Sequence, residues 1–177
     1  MANNIVLVGL MGAGKTTIGK SLAEKLDYSY IDIDEEIVLH EKMSINEIFE
    51  TKSETYFREV ETKILQKFSE QENLVISTGG GAFEKGINRE ILLNSGKVIY
   101  LYADVDTLFE RIKNDTSRPL LKCENPKGKL EELLSKREEN YLKAHHKINT
   151  VGKSVDEIVE EIIKGNSHDR NNHSKNI

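Results

Sequence analysis

Two apolar periods alternate along this chain. Short apolar runs at Ile5-Val6-Leu7-Val8 and Val98 to Tyr102 predict strands, Leu74-Val75-Ile76-Ser77-Thr78 a short buried one, and Tyr28 to Ile33 a further one, with Ile148-Asn149-Thr150 as a short last strand. Between them the apolar residues return every three or four positions, which predicts helices. These cover Ile18 to Leu26, a pattern opened by Asp34 through Ile37 and Val38, and a long helix from about Glu54 to Gln71 with Phe57, Val60, Ile64, Leu65 and Phe68 on one face. Further helices precede Gly96, follow a capping Asp104 through Leu108 and Ile112, run from Leu130 to His145, and carry Ile158, Val159, Ile162 and Ile163. Ser44-Ile45-Asn46-Glu47 and Ser154-Val155-Asp156-Glu157 are capping boxes, in which serine and glutamate satisfy each other's end of the first helical turn. Asn114 to Lys129 has no apolar period and holds both prolines, Pro119 and Pro126, so a long loop is predicted there. From Gly165 onward the chain is rich in Asn, His, Ser and Lys, a composition that predicts disorder.

Strands alternating with helices predict an α/β fold: a mostly five-stranded parallel sheet with helices on both faces. One domain over residues 1–165 and a tail over 166–177 account for the chain. Ligands of such sheets sit beyond the carboxyl ends of the strands. That rule selects Gly9 to Thr16, Asp32 and Asp34, Gly79 to Gly81, and Ala103 to Asp106 as rim candidates.

Composition narrows the class. The chain has 177 residues, a formal net charge of −5, 37% hydrophobic and 31% charged residues. It is long enough for a proper core. No apolar run approaches the ~20 residues of a membrane span, and no signal-peptide pattern opens the chain. The negative balance argues against a nucleic-acid or membrane-surface role. Cys123 is the only cysteine, so no disulfide framework or cysteine metal site is available. A cytoplasmic protein is the expectation.

The candidate chemistry begins at Gly9-Leu10-Met11-Gly12-Ala13-Gly14-Lys15-Thr16, which fits the G-x-x-x-x-G-K-[ST] phosphate-binding loop between a strand and a helix. Its backbone N–H groups and the helix N-terminus favour phosphate oxygens. Lys15 is placed to reach β- and γ-phosphates and the Thr16 hydroxyl to ligate Mg²⁺. Asp32-Ile33-Asp34 follows the second strand. Residues i and i+2 of a strand share a face, so one acid is available for metal-bound water and one for a substrate proton; equally, Asp34 is a good helix N-cap. The strand ending at Thr78 carries no acid, although phosphate-loop enzymes usually place a metal-side aspartate at such a position. Gly79-Gly80-Gly81 implies close approach of a ligand or unusual backbone angles, or a flexible turn. Arg58 is suited to grip a carboxylate, or to pair with Glu61 on the surface of its helix. Arg118 lies in the long loop, where a lid would bring it to a transferring phosphoryl group.

Together these residues resemble the shikimate kinases, phosphate-loop enzymes related in fold to nucleoside monophosphate kinases. The likeness spans about residues 3 to 163 and rests on the segment 9 to 19, Asp32-Ile33-Asp34, Ile45 to Phe49, Glu54-x-x-Phe57-Arg58-x-x-Glu61, Gly79-Gly80-Gly81, Arg118-Pro119-Leu120-Leu121, and Arg137 with Tyr141. The resemblance implies a three-layer α/β/α kinase with substrate-binding helices over about 34–71 and a mobile lid over about 113–128. It implies transfer of the γ-phosphoryl group of ATP to the 3-hydroxyl of shikimate, in chorismate and aromatic amino-acid biosynthesis, by a monomer whose partners are ATP, Mg²⁺ and shikimate. Gly12, Ala13, Gly14, Lys15, Thr16, Thr17, Arg111 and Arg118 then fall to ATP, with Thr16 and, through water, Asp32 on the metal. Asp34 is the candidate base. Asp34, Phe49, Phe57, Arg58, Glu61, Gly79, Gly80, Gly81 and Arg137 fall to shikimate, Arg58 and Arg137 being the pair for its carboxylate. Lys15, Asp34 and Arg118 carry the catalysis. Lys42 and Ser53 stand where the family commonly has glycine, Glu139 replaces a usual proline, and the adenine-side stretch Thr150 to Lys153 matches loosely. Rival readings are a gluconate or nucleoside monophosphate kinase and a non-catalytic ATP-binding module. A GTP switch would need an Asn-Lys-x-Asp signature, which the sequence lacks.

Overall fold

The computed structural model describes residues 3–115 and 123–173. Its sheet has five parallel strands, β1 (Asn4–Val8), β2 (Ser29–Asp32), β3 (Leu74–Ser77), β4 (Gly96–Tyr102) and β5 (His146–Asn149), in the order β2-β3-β1-β4-β5. Val6 lies opposite Ile76 on one side and Val98 on the other. Every residue of β1 and β3 is buried, whereas the edge strands β2 and β5 are partly exposed. That explains the unbroken apolar runs at the centre and the mixed ones at the edges. Buried Asn4 fixes the start of the sheet: Leu74 N–H donates to its Oδ1 at 2.9 Å and its Nδ2 donates to the Gln71 carbonyl at 2.7 Å.

The helices are α1 (Lys15–Leu26), α2 (Ile33–Glu41), α3 (Ile45–Thr51), α4 (Glu54–Ser69), α5 (Gly86–Ser95), α6 (Val105–Ile112), α7 (Pro126–Tyr141) and α8 (Val155–His173), with a 3-10 turn at Ala82–Glu84. They flank the sheet in a three-layer α/β/α arrangement. α1 packs on β2, β3 and α8, α4 gathers α2, α3 and α5, and α6 lies against α7. Both capping boxes form: the Ser44 hydroxyl accepts from Glu47 N–H while Glu47 accepts from Ser44 N–H, and Ser154 and Glu157 repeat the exchange.

Three expectations change. The strand stops at Asp32, and Asp34 lies in the first turn of α2, so the shared-face argument for the two acids does not apply. Pro126 opens α7 rather than lying in a loop; at the first helical position the missing N–H has no helical partner to lose and the fixed φ suits the helix. α8 runs past Gly165 to His173, because weak helix formers still extend a helix already nucleated and packed upstream. Among the described residues no helix is long and apolar enough to cross a membrane.

Candidate active site

Because the strands are parallel, the ends of β1, β2 and β3 open on one edge of the sheet. There the segment after β1 curls into a loop whose Gly12 and Gly14 have φ of 81° and 90°, angles that side chains rarely adopt. A Cβ on Gly12 would also stand 3.0 Å from the Leu108 carbonyl oxygen. Gly14 caps α1, and Lys15 opens it. The Lys15 ammonium folds over the loop and donates to the carbonyls of Gly9 at 2.8 Å and Leu10 at 3.1 Å. The loop forms one wall of a cavity of about 750 Å³, lined also by Thr16, Thr17, Asp32, Asp34, Gly79, Gly80, Arg111 and Arg137. Thr150, Lys153, Ser154 and Val155 close the far side. Arg111 ties that side to the loop: Nη1 donates to the Gly12 carbonyl and to Thr150 Oγ1, both at 3.1 Å, and Nη2 to the Thr150 carbonyl at 3.2 Å.

The helix cap falls to Asp32 rather than Asp34. Asp32 is the N-cap of α2, its Oδ1 accepting from Asp34 N–H at 3.0 Å and from Glu35 N–H at 3.4 Å. Its Oδ2 accepts from the Tyr30 hydroxyl at 3.2 Å. Burial pushes the Tyr30 phenol up to about 12, and its hydroxyl also meets Ser77 and Thr16. Asp34 is therefore released from capping, and its side chain turns to the segment after β3. Asp32 and Thr16 offer hard oxygen donors on the cavity wall. Oδ1 already accepts two hydrogen bonds and Oδ2 only one, so Oδ2 keeps a lone pair, which suits a cation that keeps most of its waters and binds phosphate, as Mg²⁺ does. Among the described residues no cluster of three or more His, Cys, Asp or Glu is grouped to hold a metal.

Gly79-Gly80-Gly81 is a seat for three side chains. None of the three lies in the left-handed region. The glycines are needed for space instead. A Cβ on Gly79 would stand 2.7 Å from Asp34 Oδ1, on Gly80 3.1 Å from Arg137 Nη1, and on Gly81 2.6 Å from Arg58 Nη2. Residues from α2, α4 and α7 thus converge on consecutive positions of one turn. The turn is closed by Ala82 N–H to the Gly79 carbonyl at 3.1 Å and Glu84 N–H to the Gly81 carbonyl at 3.2 Å.

Each arginine has its own carboxylate. Arg58 Nη1 donates to both oxygens of Glu61, at 3.1 and 3.0 Å, and Glu61 is fully buried. The pair is therefore not a surface helix pair. Burial raises the Glu61 carboxyl above the ordinary range, and Arg58 opposes that rise. Asn88 Nδ2 adds a donor to Glu61 at 3.4 Å. Phe57 is buried, and the Arg58 guanidinium lies 5.2 Å from the centre of its ring. Phe49 stacks on Phe57 with ring centres 4.9 Å apart and stays 38% exposed. Arg137 Nε donates to Glu84 at 2.5 Å. One turn on, buried Tyr141 donates its hydroxyl to the Gly80 carbonyl at 2.5 Å. Burial moves that phenol up to about 12, with the Arg137 guanidinium opposing.

The cavity itself does not reach Phe49, Phe57, Arg58, Glu61 or Gly81; they adjoin it round the glycine turn. Ala103 to Asp106 does not join it: Asp104 caps α6 by accepting from Thr107 N–H at 2.8 Å. Arg118 lies outside the described residues. Tyr30 and Glu84 were not singled out from the sequence. Nothing local marks either, since one is a strand tyrosine and the other an acid among Ala82-Phe83-Glu84-Lys85.

A protein-family model described as shikimate kinase matches residues 11–166. A shikimate kinase of Persephonella marina is 46% identical over 160 residues, covering 90% of this chain and 96% of the relative. The structure of a shikimate kinase from Acinetobacter baumannii in complex with shikimate superposes with a TM-score of 0.87 at 41% identity, covering 93% of this chain and 92% of that one. A shikimate kinase structure from Bacteroides thetaiotaomicron gives 0.86 at 34% identity, covering 92% and 97%.

Proposed function

The chain belongs to the shikimate kinase family, and we propose on that premise how its residues share the reaction. The enzyme transfers the γ-phosphoryl group of ATP to the 3-hydroxyl of shikimate, giving shikimate 3-phosphate and ADP within aromatic amino-acid biosynthesis. One observation supports the assignment of roles above the others: Asp34, Arg137 and Arg58 meet consecutive glycines of one turn beside the phosphate loop.

Phosphoryl transfer asks mainly for alignment and for positive charge around the transferring group. The amides of Gly12, Ala13 and Gly14 and the Lys15 ammonium bind the ATP phosphates, with Thr17 beside them. Lys15 then exchanges the carbonyls of Gly9 and Leu10 for phosphate oxygens. Thr16 and, through water, Asp32 hold Mg²⁺, which when bound offsets charge on the phosphates. Arg111, pinned to Gly12 and Thr150, borders the adenine. Arg58 and Arg137 bind the shikimate carboxylate, with Glu61 behind Arg58 and the Phe49–Phe57 stack beside the ring. Asp34 accepts the 3-hydroxyl and takes its proton as the phosphorus–oxygen bond forms. Arg118 completes the charge around the phosphoryl group. Residues 1–165 act as one kinase domain, in a cytoplasmic monomer without nucleic-acid or membrane partners.

The test is ADP release with Mg-ATP and shikimate, run beside quinate, gluconate, AMP and no acceptor. Turnover confined to shikimate is expected. Turnover with gluconate or AMP instead would overturn the pocket, and nucleotide binding without turnover would favour a non-catalytic module.

A further inference from the structure

The reading of Arg137 as a substrate-carboxylate ligand leaves open what aims it, and the inference here rests on that reading. Arg137 reaches the glycine turn from α7, far away in sequence, and its long side chain has many rotamers to lose. Two contacts, one helical turn apart on α7, fasten it to residues four apart on the glycine turn: Tyr141 to Gly80, and Arg137 to Glu84. Glu84 is itself fixed. Its N–H donates to the Gly81 carbonyl, and Arg89 Nη1 donates to the carbonyls of Phe83 and Glu84 at 3.0 and 3.1 Å.

The chosen atom matters. Glu84 takes the Nε–H of Arg137, at a site where the two side chains are only 15% and 30% exposed. This leaves Nη1 and Nη2; the guanidinium also meets the Tyr141 hydroxyl, and Nη1 is the atom lying against Gly80. Arg58 stands against the next glycine with Glu61 behind it. Two guanidinium groups thus face neighbouring positions of one turn, each backed by a glutamate that offsets their mutual repulsion and directs the remaining N–H groups.

We infer that Glu84 is a positioning residue for substrate recognition: it sets the Arg137 guanidinium in register with Arg58 so that both can grip one carboxylate. Glu84 does not line the cavity beside the phosphate loop, so its loss is expected to act on acid binding rather than on ATP.

The experiment measures steady-state constants for both substrates in the full chain. Arg137→Ala is made first and tests the underlying reading. If its KM for shikimate does not move, Arg137 is not a carboxylate ligand, whatever Glu84 does. Given a raised KM there, Glu84→Ala is expected to raise the KM for shikimate roughly tenfold, about the effect of one charged hydrogen bond, with the KM for ATP and kcat close to wild type. Glu84→Gln, which keeps an acceptor for Nε, recovers most of the loss. Adding Glu84→Ala to Arg137→Ala raises the KM no further. Glu84→Asp, one methylene short, shows the same split at smaller size and carries the test if the alanine variant fails to fold. An unchanged or lowered KM for shikimate in Glu84→Ala, or an additive double variant, would overturn the inference.

Discussion

Asp34 Oδ1 stands 2.7 Å from where a Cβ on Gly79 would lie. The carboxylate proposed as the base therefore occupies the space that any other residue at 79 would fill. Gly79→Ala is expected to displace Asp34 and lower kcat, by roughly a hundredfold if the shift nears an ångström, while leaving the KM for ATP intact. Gly81→Ala, whose methyl meets Arg58 instead, is expected to raise the KM for shikimate more than it lowers kcat. Paired steady-state kinetics check both, and the same defect in both variants would contradict the separate seating.

Ser53 has a φ of 146° and Lys42 one of 56°, at the two positions where the family commonly has glycine. Ser53 lies in a region that strains most side chains by about 1–3 kcal/mol. Its hydroxyl caps α4 by accepting from Tyr56 N–H at 3.2 Å, but replacing a serine cap by glycine costs only a few tenths of a kcal/mol. Ser53→Gly is therefore expected to stabilise the fold by about 1 kcal/mol, raising Tm by ~2–4 °C for a chain of this size. A thermal melt showing a lower Tm would mean that the cap outweighs the strain.

Glu41 joins the end of α2 to the start of α4. Lys52 donates to its Oε2 at 2.8 Å and Tyr56 at 3.0 Å. The Lys52 hydrogen bond leads the effects that hold the Glu41 carboxyl down at about 2, from 4.5. A depressed carboxylate adds stability that is complete above its unfolded value and is lost as pH falls through its folded value. Between pH 4.5 and 2 the wild type should therefore lose stability more steeply than Glu41→Gln. Melts across that window check this, and parallel profiles would contradict it.

Much of this fold is local and was legible in the sequence. The strand runs, the phosphate loop and both capping boxes depend on neighbours within a few residues, and they form as read. The tertiary part was hidden. Spacing suggested Asp34 as a possible cap, but the chain gives that role to Asp32, because β2 ends one residue earlier than expected and α2 starts at Ile33. The three glycines suggested backbone freedom or a close ligand, whereas their immediate cause is three side chains arriving from α2, α4 and α7. The Arg58–Glu61 spacing fits a surface pair, and only packing shows Glu61 buried. Glu84 carried no signal, since its partner lies 53 positions away.

The central claim is that two arginines read a carboxylate while Asp34 addresses the hydroxyl at the other end. The most direct measurement compares kcat/KM for shikimate with that for its neutral methyl ester, in the wild type and in Arg58→Ala. The account predicts that the ester is poorer by roughly a hundredfold or more in the wild type, because a buried site built for a charged group rejects an analogue that leaves it unpaired. It also predicts that Arg58→Ala removes most of that preference. Equal use of acid and ester by the wild type would contradict it.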